Sequence, residues 1–182
     1  MSFARVRALV VIGVLAVAAV VFVVVALVQD SQGDASADGG CPDGAPVADI
    51  TLPDDPAEVK VKVYNGTRNA GLAEKVTTDF KNRGFVMQDP GKSKTKFDKI
   101  AIIRYGPKTV ADAQLLKAYF LGDAKDEYSA KRTSDVVDIV VGNGFRQLAT
   151  STEVNQSLSQ LGEPELPFGA CPEPADADKK AK

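Results

Sequence analysis

The sequence lacks histidine and tryptophan, and it has only two cysteines among 182 residues. Histidine is the side chain most often used as a general base and as a metal ligand, so its absence excludes Ser-His-Asp triads, Cys-His pairs and His-ligated zinc. Two cysteines are also too few for a Cys₄ zinc site or an iron–sulfur cluster within one chain. These absences predict a protein that is not an enzyme and that holds no metal or other cofactor.

Near the N-terminus lies an unbroken apolar run, Ala8–Val28. As a helix it would be about 31 Å long, close to the thickness of a bilayer core. Arg5 and Arg7 precede it, so the positive-inside rule predicts a plasma-membrane anchor with a cytoplasmic N-terminus and an extracytoplasmic C-terminal part. The alternative is a signal peptide cleaved near 16–18, but the run is longer than a usual signal sequence and stays apolar beyond that point.

Composition divides the rest of the chain into segments of different character. An acidic segment with few bulky apolar residues follows the apolar run and indicates a flexible stalk, while the Pro/Ala/Asp/Lys end indicates a disordered tail. A basic segment with regular apolar spacing lies between them and is the predicted folded domain. The predicted boundaries are 1–7 for the cytoplasmic N-terminus, 8–28 for the transmembrane helix, 29–58 for the stalk, 59–148 for the domain, 149–171 for a C-terminal extension and 172–182 for the tail.

Hydrophobic periodicity in the basic segment predicts alternating strands and helices. The predicted elements, in chain order, are a strand at 59–64, a helix at 69–83, strands at 85–88 and 99–105, a helix from 109 to about 121 and a strand at 136–141, with room for a short edge strand at 125–132. The order β-α-β-β-α-β predicts an α/β two-layer sandwich of ferredoxin-like type. One sheet of four or five strands would carry two helices on one face, preceded by one transmembrane helix.

Paired carboxylates are the remaining option for acid–base catalysis. Carboxylates cluster after the second predicted helix and beside the last predicted strand, at Asp123, Asp126, Glu127, Asp135 and Asp138. Nothing in the surrounding sequence indicates burial, so a solvated surface is the simpler interpretation.

Two short motifs resemble a known family. Val61–Thr67 reads Val-Lys-Val-Tyr-Asn-Gly-Thr, and Gly-Leu-Ala follows at 71–73. Together with the strands Ala101–Tyr105 and Val137–Val141, they resemble the LytR C-terminal domain family over about residues 58–148. In that family the domain often follows a LytR-CpsA-Psr phosphotransferase, and it also occurs alone behind a membrane anchor, chiefly in high-GC Gram-positive bacteria. This chain resembles the stand-alone form, so the resemblance implies a cell-envelope setting without the phosphotransferase activity.

The first candidate binding site is the turn Asn65, Gly66, Thr67 and Asn69, where the first strand passes into a helix. Backbone amides at a helix N-terminus can hold a phosphate or carboxylate. The alternative is ordinary turn chemistry, in which Gly66 supplies a positive φ and Thr67 or Asn69 caps the helix.

The second candidate site is the group Lys92, Lys94, Lys96 and Lys99, between two predicted strands. A basic patch there would suit anionic wall polymers, lipid head groups or the acidic stalk. The alternative is a solvated polar hairpin. Nucleic acid is not an expected partner, because the predicted compartment is wrong and no aromatic residues are interleaved with the lysines.

Cys41 and Cys171 bracket the predicted domain. Thiols outside the membrane tend to oxidise, so one disulfide within the chain is the simplest expectation, with a redox or interchain role as the alternative. The sequence as a whole predicts a non-enzymatic single-pass envelope protein that binds cell-wall polymer, peptidoglycan or a wall-assembly protein and so supports envelope integrity. The alternative is a membrane scaffold that docks on a membrane protein through Ala8–Val28.

Overall fold

The computed structural model describes residues 44–172 together with Gly13, Ala16, Val20 and Cys41. The chain divides into two compact units, 1–42 and 43–182, and the fold described below is that of the second. Gly13, Ala16 and Val20 are helical, but the rest of the predicted transmembrane segment, most of the predicted stalk before residue 44 and the predicted tail after residue 172 lie outside the described residues. Within the described residues, no helix has both the length and the apolar character needed to cross a membrane.

The second unit is an α/β structure in which strands and helices alternate. The strands are β1 (Val47–Ala48), β2 (Lys60–Asn65), β3 (Val86–Met87), β4 (Gly91–Lys92), β5 (Ala101–Tyr105), β6 (Lys125–Tyr128), β7 (Val136–Val141) and β8 (Cys171–Pro172). The helices are α1 (Leu72–Asn82), α2 (Val110–Ala118) and α3 (Ser151–Leu161), with 3-10 turns at Pro56–Glu58 and Pro107–Thr109. The predicted short edge strand is confirmed as β6.

Six strands form the main sheet in the order β3-β2-β7-β5-β6, and β4 pairs with the far end of β2. β7 runs parallel to β2 and antiparallel to β5, while β6 runs parallel to β5. β1 and β8 form a separate parallel pair.

The predicted ferredoxin-like order is therefore wrong. That order would leave the last strand at a sheet edge, whereas β7 lies in the centre between β2 and β5. β7 reads Val-Val-Asp-Ile-Val-Val, and five of its six residues are buried, which is typical of a strand covered on both faces. Instead, α1 connects β2 to β3, and α2 connects β5 to β6. In each case the two connected strands are adjacent and parallel.

One apolar core lies between the sheet and the helices, as the two-layer prediction requires. Alternation along the strands directs Val61, Val63, Ile103 and Ile139 into this core, where all are fully buried. Phe80 of α1 is the central aromatic residue of the core, with its ring 5.2 Å from that of Phe85, 5.6 Å from Tyr119 and 6.2 Å from Phe120. Residues of all three helices belong to the same cluster, so the helices share one face of the sheet.

Helix α3 was not predicted, because the 149–171 region was interpreted only as an extension. Its local signal is a capping box: the Thr150 backbone N–H donates to Glu153 Oε2 at 2.7 Å, and the Glu153 N–H donates to Thr150 Oγ1 at 3.4 Å. The helix packs on α2, and the Gln114 side-chain amide donates to the Gly162 carbonyl at 3.2 Å. Few of its residues are apolar, so the periodic signal was weak.

The predicted disulfide is confirmed, since Cys41 and Cys171 are both disulfide-bonded. Cys171 is buried in β8, and its backbone N–H donates to the Pro46 carbonyl at 2.9 Å.

Candidate functional site

The lysine-rich segment 93–100 crosses one end of the main sheet. It leaves β4, which pairs with β2, and it enters β5, which pairs with the far side of β7. Its backbone is tied to both strand ends: the Phe97 N–H donates to the Gly66 carbonyl at 2.9 Å, and the Gly142 N–H donates to the Ile100 carbonyl at 2.9 Å. The alternative was a solvated polar hairpin, and its hairpin part is wrong, because β4 and β5 are not neighbours in the sheet. The four lysines are exposed to solvent, as that alternative expects.

The turn after β2 is closed by its own side chains. Asn65 Oδ1 accepts hydrogen bonds from the Thr67 N–H at 2.9 Å and the Thr67 hydroxyl at 2.8 Å. Thr67 Oγ1 accepts from the Asn69 N–H at 3.0 Å, and the Asn65 side-chain amide donates to the Asn69 carbonyl at 2.7 Å. Two of the amides expected to hold an anion therefore already have partners within the turn.

The structure corrects the alternative interpretation of this turn as well. Helix α1 is preceded by Gly71, which has a φ of +78° and occupies the N-cap position, and neither Thr67 nor Asn69 caps the helix. Gly66 does not have a positive φ. It is required for close approach, because a Cβ at this position would lie 2.8 Å from both Val140 Cγ1 and the Val141 carbonyl oxygen.

The fold brings the two predicted sites together. Lys96 Nζ donates to the Thr67 carbonyl, and Lys92 pairs in register with Asn65. Phe97 was not predicted as a site residue, but it fixes the segment in place: its N–H donates to the Gly66 carbonyl at 2.9 Å, and its carbonyl accepts from the Asn143 N–H at 2.8 Å. A Cβ on Gly142 would lie 2.7 Å from Phe97 Cδ1, so the Phe97 ring lies close to Gly142. The apolar Phe97 among lysines was the available signal for an anchored loop.

We call the resulting surface the basic end. It consists of exposed cations from the segment and the turn, namely Lys92, Lys94, Lys96, Lys99 and Arg68. Among residues 44–172, no carboxylate forms an ion pair with any of the five. The neighbouring Asp98 carboxylate accepts a hydrogen bond from the Asn143 side-chain amide at 2.8 Å. The arrangement therefore offers several uncompensated positive charges to an anion.

The sheet face opposite the helices carries charged side chains, and we call it the open face. Lys62 on β2 is in register with Asp138 on β7, which is in register with Arg104 on β5. Arg104 Nε contacts Glu127 Oε2 on β6 at 2.7 Å, and this hydrogen bond is the main reason that the pKa of Glu127 is lowered. Arg132, from the segment before β7, contacts Asp138 at 3.0 Å.

A groove of about 360 Å³ lies at the other end of the sheet, and five of its ten lining residues are carboxylates, against two lysines. Burial, and after it the nearby charges of Asp49, Glu58 and Asp135, together raise the pKa of Asp112 to about 6. Asp112 was not among the predicted site residues, because only folding brings these carboxylates together. Within the described part of the chain, no group of three or more side chains is arranged to hold a metal ion.

Comparisons with known proteins relate the domain to an envelope family. Residues 58–145 match the family model LytR_C, described as LytR cell envelope-related transcriptional attenuator. The fold is similar to the crystal structure of the soluble domain of a conserved hypothetical secreted protein from Mycobacterium marinum, with a TM-score of 0.50 and 24% identity. That similarity covers 67% of this chain and 83% of the other. The comparison with curated proteins found no match.

Proposed function

Because residues 58–145 form a LytR C-terminal domain, we propose that this protein is a non-enzymatic, single-pass component of the cell envelope. The run Ala8–Val28 anchors it in the plasma membrane, with the N-terminus in the cytoplasm and the domain outside. The domain binds an anionic cell-wall polymer at the basic end and helps to keep the envelope intact. The cell-envelope setting is supported by the family, and the confirmed disulfide suits an oxidising compartment.

The observation that carries the binding proposal is the basic end itself. Backbone hydrogen bonds hold the segment 93–100 against the ends of β2 and β7, so the backbone that carries its lysines has a fixed position. These lysines are exposed, and no carboxylate in the described region neutralises them. A preorganised cluster of like charges attracts a polyanion while losing little conformational entropy in its backbone.

The contribution of each cation is modest and depends on salt. An exposed ion pair contributes about 0.2–1 kcal/mol, and ions screen it beyond a Debye length of about 8 Å at physiological ionic strength. Specific binding therefore needs several lysines to act together on a polymer that carries repeated charges. A single small anion would bind too weakly to matter.

Co-sedimentation with purified bacterial wall sacculi tests the proposal. The full chain, in mild detergent, is mixed with sacculi that retain their anionic polymers and with sacculi from which these polymers have been stripped. We expect retention on the first only, and we expect the double variant Lys94→Gln/Lys99→Gln to lose most of it. Lys81→Gln/Lys108→Gln is the matched control, because both lysines are exposed and lie at the opposite end of the sheet. Equal retention of the two double variants would refute binding at the basic end.

The alternative function, a scaffold that docks through Ala8–Val28, rests on residues outside the described part of the chain. Replacing this run with an unrelated membrane anchor separates the two ideas. A wall-binding protein keeps its function after the exchange, whereas a scaffold of this kind loses it.

A further inference from the structure

We propose that the binding surface continues from the basic end across the open face to a cavity at Arg104, Lys131 and Arg132, and that its ligand is a linear polyanion long enough to occupy both parts. The inference rests on the proposed function, because it extends the same site. It adds a second region of contact and a minimum length for the ligand.

The open face is free of helices throughout the described structure. Helices α1, α2 and α3 all contribute to the core on the other side of the sheet. The side chains that alternate onto the open face include Lys62, Tyr64, Arg104 and Glu127, and none of these four is buried. The same face also carries Ile102, Val136 and Val140, which are buried, so only the polar row through Lys62 and Arg104 is accessible. An extended chain can lie along this row.

The charges on this face leave an excess of cations. Each carboxylate has a partner: Asp135 pairs with Lys60 at 2.6 Å, Asp138 with Arg132 at 3.0 Å, and Glu127 with both Arg104 and Lys125. Asp126, at the cavity rim, pairs with Lys117. Lys62 and Lys131 have no carboxylate partner in the described region, and the Lys62 ammonium lies 5.5 Å from the centre of the Tyr64 ring. The uncompensated charge is positive, so the complementary ligand is negative.

The register makes this surface continuous. Tyr64 is opposite Gly91, the first residue of β4, and a Cβ on Gly91 would lie 2.8 Å from the Tyr64 ring, so the Tyr64 side chain lies against the strand that leads into the lysine segment. From there the row Lys62, Asp138, Arg104 and Glu127 crosses β2, β7, β5 and β6. Along this row, three strand spacings and three residues of strand separate Lys92 from Glu127, a path of about 20–25 Å. Lys99, which lies two residues before β5, is at most about 17 Å from Arg104.

The path ends in a cavity of about 590 Å³, lined by Arg104, Asp126, Glu127, Tyr128, Ser129, Lys131 and Arg132. Three cations, Arg104, Lys131 and Arg132, line this cavity against two carboxylates, so its lining has a net positive charge, and its volume admits an anionic group and its neighbouring atoms. A single anion cannot reach from this cavity to Lys94 or Lys99. A linear polymer with regularly spaced anions can contact both regions at once, and the second contact is then intramolecular and strengthens binding.

Inorganic polyphosphate of two lengths tests the inference on the full chain in mild detergent, with binding measured by titration calorimetry at low salt. Tripolyphosphate is too short to span the path, whereas long polyphosphate chains exceed it. The decisive variant is Lys62→Gln/Lys131→Gln, which removes two cations without breaking an ion pair in the described region. Lys94→Gln/Lys99→Gln reports on the basic end, and Lys81→Gln/Lys108→Gln is the matched control.

We expect the Lys62→Gln/Lys131→Gln variant to bind the long chains about 2- to 30-fold more weakly, as expected for two exposed ion pairs, and to bind tripolyphosphate as the wild type does. A long polymer has more ways to bind than a short one, so each ligand is compared across the variants and not with the other ligand. If the open-face variant binds long chains as tightly as the control does, the inference is wrong while binding at the basic end stands. If the wild type binds neither length and Lys94→Gln/Lys99→Gln has no effect, both this inference and the proposed function fail.

Discussion

The substitution Gly142→Ala tests whether close contact at the sheet end holds the lysine segment in position. Gly142 directly follows β7 and lacks a positive φ, so alanine can adopt its backbone conformation. A Cβ at this position would nevertheless lie 2.2 Å from the Lys99 carbonyl oxygen, 2.6 Å from the Phe97 carbonyl oxygen and 2.7 Å from Phe97 Cδ1. Two of these atoms belong to the backbone, so the whole segment must move by about 1 Å to reach van der Waals distance.

The cost follows from the hydrogen bonds that such a shift weakens. Three bonds join the segment to the chain after β7: Gly142 N–H to the Ile100 carbonyl at 2.9 Å, Asn143 N–H to the Phe97 carbonyl at 2.8 Å, and Gly144 N–H to the Lys99 carbonyl at 3.0 Å. Their loss costs about 1.5–4.5 kcal/mol, and reduced packing of Phe97 adds about 1 kcal/mol. Alanine offsets about 0.4–1 kcal/mol by restricting the unfolded chain. The free energy of unfolding should therefore fall by about 2–5 kcal/mol.

Urea unfolding of the oxidised fragment 41–182, followed by far-ultraviolet circular dichroism, measures this change. The fragment contains the compact unit and both cysteines. Gly169→Ala is the control, because Gly169 has a φ of +77° but open space around its Cβ position, so it reports only backbone strain of about 1 kcal/mol. If Gly142→Ala destabilised the fragment no more than Gly169→Ala does, close contact at Gly142 would not hold the segment in position.

Two further predictions concern the acidic groove and the disulfide. The folded pKa of Asp112, about 6, lies above the ordinary value of 3.8 for this side chain, so ionised Asp112 destabilises the fold and stability falls as pH rises from about 4 to 6. Asp112→Asn should therefore raise the free energy of unfolding at pH 7 by about 1–2 kcal/mol, a value already reduced for the partial exposure of the side chain. At pH 3.5 the substitution should leave the free energy of unfolding unchanged. An equal effect at both pH values in urea titrations would contradict this prediction. Cys41→Ser/Cys171→Ser opens a loop of about 130 residues and should destabilise the fragment by up to about 5 kcal/mol. Reduced wild type should unfold at the same urea concentration as the double variant. If oxidised wild type had the same unfolding midpoint as the double variant, the disulfide would not stabilise the fold.

Several features of the protein could be predicted from the sequence because they depend on near neighbours in the chain. The alternation of Val59, Val61 and Val63 and the helical stripe of Val76 and Phe80 indicate a half-buried strand and an amphipathic helix wherever those segments lie in space. With only two cysteines, one disulfide was the simplest pairing. Even the missed helix α3 had a local signal, the Thr150–Glu153 capping box, but few of its residues are apolar.

The tertiary structure alone determined the features that join distant parts of the chain. Strand order depends on which apolar surfaces pack best across the whole sheet. The doubly buried β7 lies in the centre, although its sequence was compatible with either an edge or a central strand. That choice made segment 93–100 cross the ends of β2 and β7 instead of closing a hairpin, and so brought Lys96 to Thr67. The raised pKa of Asp112 and the need for glycine at position 66 arise in the same way. Burial, close contact and electrostatic potential are sums over neighbours in space, and the sequence by itself determines only neighbours along the chain.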